Sequence, residues 1–170
     1  SDEALQAEIV RQINVSQINV TVPYSLKVSE KNRYYPTGDI VWRDDPIGDR
    51  HAQVGKVVKD AMLAGTSGFQ GPVPIILDIQ LVRFHSLSEK ARYTVGGVHN
   101  IVFDMTLRDA ITGKQLSKPR RIDTSLDAFG GQQAKTAEAR GLTQKVRVTN
   151  HLAEVIRLQL VKPSGYEDAN

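Results

Sequence analysis

The sequence predicts an α+β fold: a two-layer sandwich with a four-stranded, mostly antiparallel sheet and two long helices on one face, in the order strand-helix-strand-strand-strand-helix. Three observations carry this expectation. Residues 74–85 read PIILDIQLVRFH, with Ile75, Leu77, Ile79 and Leu81 on one side and Ile76, Val82 and Phe84 on the other. A β-branched run apolar on both faces belongs in the interior of a sheet. Residues 47–62 and 142–156 repeat their apolar positions at helical spacing, and the second stripe is wide enough to lie across a sheet. Residues 99–107 alternate, His99, Ile101, Phe103, Met105 and Leu107 against Asn100, Asp104 and Thr106, with Arg108 continuing the polar set. This pattern marks one dry face and one wetter face.

Composition fits a single domain. A chain of 170 residues, 40% apolar and 24% charged, can bury a core of its own and argues against a disordered or fibrous class. A formal charge of +3 and a pI near 9.2 invite a nucleic-acid reading. The invitation is weak, because 22 basic residues stand beside 19 acidic ones without long runs of either sign, and no nucleic-acid partner is expected. No apolar stretch reaches the roughly 20 residues of a membrane helix. The lack of cysteine removes disulfides, thiolate metal sites and cysteine nucleophiles. The chain begins without Met and is read as a processed or trimmed product.

In order along the chain, residues 1–12 are expected as a linker or short helix, 13–162 as the domain, and 163–170 as a mobile tail after Pro163. Ile18, Val20 and Val22 share a strand face that Pro23 ends, and SEKNRYYPTGD is loop by composition. Ile40, Val41 and Trp42 form a short apolar island. Asp45 before Pro46 predicts a helix cap, Ile47, His51, Val54, Val58, Ala61 and Met62 the inner stripe, and Gly65 a left-handed terminus. Residues 109–114 read as a tight hairpin with Gly113 at positive φ. The returning strand carries Leu116, Ile122 and Leu126, and Pro119 implies an edge or a bulge.

Chemistry-bearing clusters are sparse. WRDDPIGDRH gathers Asp44, Asp45, Asp49, Arg50 and His51, a set suited to acid–base work or a hard cation. Capping and helix-dipole roles explain the same residues one by one and are preferred. His85 and His99 should meet at one end of paired strands, near Arg83 and Tyr93, where a pair can bind an anion or share a proton; satisfied structural histidines are the preferred reading. Lys114, Lys118, Arg120 and Arg121 lack interleaved aromatics and read as a solvated, blunted edge. No P-loop, dinucleotide turn, HExxH or GxSxG is present, so no catalytic, metal or cofactor residues are assigned. Tyr34, Tyr35 and Trp42, around a proline and a glycine, are the candidate partner-binding aromatics; a loop that plugs the core explains them as well.

Taken together, residues 29–54, residues 73–114, PRRI and LDAFGG resemble a family of uncharacterised alphaproteobacterial envelope lipoproteins over residues 20–160. The resemblance implies a periplasmic domain, outer-membrane anchored through a lipid-bearing cysteine upstream of this chain. The layout is similar, more loosely, to that of periplasmic ABC-transporter auxiliary lipoproteins. The expected function is a non-enzymatic accessory or structural domain of a cell-envelope assembly, with a protein partner, no cofactor and an oligomer left open. Its rival is a small histidine- and carboxylate-dependent hydrolase or metal-binding enzyme, using His51 with Asp44 or Asp49, or His85 with His99. Phosphate or single-strand binding through Arg120 and Arg121 is a third reading.

Overall fold

The computed structural model describes residues 11–161. The central strand falls where the sequence places it. β1 (Ile13–Thr21) and β2 (Ile40–Val41) line the same edge of β3 (Val73–His85) in succession, both parallel to it, and β4 (Gly97–Asp109) and β5 (Arg120–Ala128) follow antiparallel on the other side. The sheet is therefore mixed and has five strands, the fifth being the apolar island at Ile40. The parallel β1–β3 pair is what a helical crossover between them requires. Helix α1 (Arg50–Thr66) supplies that crossover, α2 (Glu89–Arg92) is a single turn, and α3 (Gly131–Ala139) and α4 (Gln144–Val161) divide the last helical stretch. The 163–170 tail and residues 1–10 lie outside the described residues.

One core lies between the layers. Leu77, Ile79, Leu81, Ile101, Phe103 and Ile122 of the sheet meet Val54, Val58, Met62, Val148, Leu152 and Ile156 of α1 and α4. A register shift between Leu81 and Arg83 reverses the phase of β3, so Phe84 joins Ile79 in the core instead of facing away from it. The opposite face is polar and laced across strands, Asp78 with Arg108 at 2.5 Å and Asp104 with Arg121 at 2.9 Å. That is the dry-and-wet division the alternation of β4 predicts.

The start of α1 corrects the sequence reading. Asp49, not Asp45, caps the helix, its carboxylate accepting from Ala52 N at 3.1 Å, and Ile47 is 87% exposed ahead of the first turn. Asp45 is drawn elsewhere, by the Trp42 indole N–H at 2.7 Å and by Lys145 Nζ. Gly65 is no left-handed terminus either: it lies inside the helix, where a Cβ would come 2.2 Å from Ala153 O and 2.5 Å from Ile156 Cγ2. Its missing side chain lets α1 and α4 touch.

Candidate functional site

The densest polar assembly sits where the starts of α1, α2 and α4 converge on the end of the sheet. Its centre is His99, fully buried at the head of β4, with Nδ1 2.7 Å from Ser86 Oγ. The Gln144 amide lies 3.3 Å from Ser86 Oγ and, with its oxygen turned to Arg92, accepts from Nη1 at 2.9 Å. Arg92 continues the chain to Asp44 at 2.6 Å and to Glu138. Asp44 in turn accepts from Lys145 N at 2.9 Å, at the first turn of α4, where backbone donors have no intrahelical partner. Beside this run, Thr124 Oγ1 lies 2.7 Å from His151 Nε2.

A serine hydroxyl against an imidazole has the atoms of a nucleophile and its base. Here both are sealed, Ser86 being 2% exposed and His99 0%. Burial, reinforced by the positive charges of Arg147 and Arg92 and by His151, lowers the His99 pKa to about 3. An imidazole so reluctant to take a proton is a poor general base at neutral pH. Its Nε2 has no hydrogen-bond partner among the described residues.

The remaining candidates are separated rather than gathered. His51 Nε2 is 2.9 Å from Leu26 O and its ring lies against Tyr24, while Asp44 and Asp49 are engaged as described above, so no acid–base pair forms with His51. Arg50 is buried and donates to Glu30 at 2.7 Å, Gln53 at 2.8 Å and Asp45 O at 3.0 Å; it pairs with none of the neighbouring aspartates' carboxylates. Its hydrogen bond holds the Glu30 carboxyl below the usual range, against the opposing effect of partial burial. His85 stands opposite Asn100 in the register, so His99 points to the other face, and the two histidines do not meet. His85 Nε2 is 2.8 Å from Pro36 O, and burial lowers its pKa. Because Leu26 O and Pro36 O can only accept, His51 and His85 each carry a proton on Nε2.

The aromatic trio divides. Trp42 is fully buried, edge-on to Phe84 at 5.3 Å between centroids, and offers nothing to a partner, which corrects that part of the expectation. Tyr34 and Tyr35 are exposed, Tyr34 under Lys90 Nζ at 4.5 Å. Their loop is fastened to α2, where Lys90 N donates to Asn32 Oδ1 at 2.7 Å and Ser88 Oγ donates to Arg33 O. Of the basic stretch, Arg121 is taken up by Asp104 at 2.9 Å. The sequence does not single out Arg92, Glu138, Gln144 or Lys145, and Ser86, outside any GxSxG elbow, does not read there as a nucleophile. None lies in a motif, and the one local signal was Ser88 followed by Glu89, which caps and starts α2.

The family model DUF6778, a family of unknown function, matches residues 13–170. The chain belongs to that family. No curated protein matches it. Among solved structures, a Xanthomonas campestris protein of the DUF330 family is similar at 10% identity over 86% of this chain and 83% of its own, with a TM-score of 0.52, which shows a shared fold. A Caulobacter crescentus protein classed provisionally as a lipoprotein is similar at 14% identity over 95% and 96% of the two chains, with a TM-score of 0.41. Neither match speaks to the layout likeness with ABC-transporter auxiliary lipoproteins.

Proposed function

We propose that this DUF6778 chain is a non-enzymatic accessory domain of a cell-envelope assembly that works through protein contacts, held on the periplasmic side of the outer membrane by an anchor upstream of these residues. The location follows the resemblance of its tracts to envelope lipoproteins. The observation that carries the contact role is the use made of the reactive side chains. Asp44, Arg50, His51, His85 and His99 are each spent fastening one segment to another, Asp49 caps its own helix, and Ser86 and His99 are closed to solvent. What the molecule offers outward is surface, including Tyr34 and Tyr35 on a pinned loop.

The test is a photo-crosslinking residue in place of Tyr35 in the full-length protein, expressed in intact cells that are then fractionated. The protein is expected in the outer-membrane fraction with a discrete protein adduct. Recovery in the cytosol, or an outer-membrane protein that gives no adduct from Tyr35, contradicts the proposal.

A further inference from the structure

The two edges of the sheet differ in character. Pro119 precedes β5, and Arg120, Arg121, Asp123 and Asp127 lie along it, the proline and charges by which sheets discourage an added strand. β1 has no such guard: INVSQINVT carries no charge and no proline. Its first half is closed by the chain on its way into β3, where Gln70 bridges Asn14 and Gly71 N donates to Ile13 O at 2.7 Å. From Gln17 to Thr21 the strand pairs with β3 alone, so the backbone groups on its far side have no strand partner among the described residues.

Beside this open half runs a groove of about 500 Å³ between the sheet edge and α1. Val20 and Val22 line it from the sheet, both half-buried, and Gly55, Lys56 and Lys59 line it from the helix. A Cβ on Gly55 would stand 3.2 Å from Val22 Cγ2, so the absence of a side chain there keeps the groove open close to the strand. A strand laid along Gln17–Thr21 alternates its side chains, and those on the helix side fall beside Val20 and Val22, where the next row of inward residues of the sheet belongs. The charges fit one sign of partner. Two lysines line the groove against Asp60; Lys56 is held by Asp60 at 2.6 Å, and Lys59 is exposed with no ion pair among the described residues.

The geometry points to a strand-addition site: the open half of β1 takes an extended, acidic segment of a partner protein, with β-branched residues turned toward α1 and a carboxylate beside Lys59. This rests on the contact role proposed above and adds to the Tyr34–Tyr35 loop a second contact surface, with the kind of segment it takes.

The probe is the peptide acetyl-Asp-Val-Thr-Val-Thr-Val-Asp-amide, titrated into the isotope-labelled chain and followed by amide NMR, with a Lys-flanked version of the same peptide as comparison. Shifts are expected at residues 17–22 and 52–59, with the Asp-flanked peptide binding about fivefold tighter, the upper range for an exposed ion pair. Lys59→Glu, at an exposed position, should reverse that preference while leaving the unbound spectrum of the core unchanged. Shifts centred on β5, equal binding of the two peptides, or no shift at millimolar peptide overturns the assignment. Shifts at 17–22 that depend on protein concentration alone also overturn it, since the occupant is then a second copy. Crosslinking at Tyr35 is independent of this titration, so the contact role and this site can fail separately.

Discussion

His99 shows most plainly what a single residue is doing. In an unfolded chain its imidazole titrates near 6.5, and in the fold burial lowers the value to about 3. Between those two values the unfolded chain binds the extra proton, so stability rises with pH through the window and falls as acid is added. The loss is about 2 kcal/mol by pH 5, before the depressed carboxylates of Glu30, Asp78 and Asp104 begin to protonate. Urea midpoints at pH 7 and pH 5 measure it: the wild type should lose that amount, with a smaller contribution of the same sign from His85, and His99→Gln should lose markedly less. Trp42 carries the other large single-residue effect. Trp42→Ala empties a fully buried position and leaves Asp45 without its indole donor, and an equilibrium denaturation should show a loss of about 3–5 kcal/mol. Residue chemistry was only partly legible in the sequence. Asp45 and Asp49 both stand in a context that suits a cap, and what decides between them is an indole three residues before Asp45 and a lysine from α4, neither of which helix-cap statistics weigh.

Among the elements, α1 and α4 meet through Gly65. A glycine inside a helix ordinarily costs about 1 kcal/mol against alanine, so Gly65→Ala would stabilise an isolated helix. Here the added methyl meets the α4 backbone at 2.2 Å, and the prediction reverses: Gly65→Ala should destabilise by about 1–3 kcal/mol in thermal or denaturant unfolding. Gly68→Ala, with nothing within 4 Å of its Cβ, should change stability little. The strands were legible from their alternation. The phase reversal in β3 was not, since a bulge is fixed by the pairing partner and leaves no local mark. The division of the last helical stretch did leave one. Gly141 takes φ +81, Leu142 N returns to Ala137 O at 2.8 Å, and Thr143 Oγ1 accepts from Val146 N at 3.2 Å, so GLT is a stop signal followed directly by a start signal.

At the scale of the molecule, one face of the sheet is roofed by α1 and α4, and the other is stitched by cross-strand ion pairs. The polar residues at the end of the sheet are the joinery of that arrangement. The run from Ser86 through Gln144 and Arg92 to Asp44 ties β3, β4, α2 and α4 together at the point where α1 is about to begin. The sandwich and its buried central strand follow from periodicity, which reports burial directly. The joinery does not, because it joins residues up to 101 positions apart that share no motif. The claim that this cluster is structure and houses no reaction is tested most directly by an NMR titration of the four imidazoles in the wild-type chain. The account predicts that His99 stays neutral down to about pH 3, as long as the fold persists. A His99 that titrates near its ordinary value, in a chain still folded, would place it in a solvent-reached site and contradict the account.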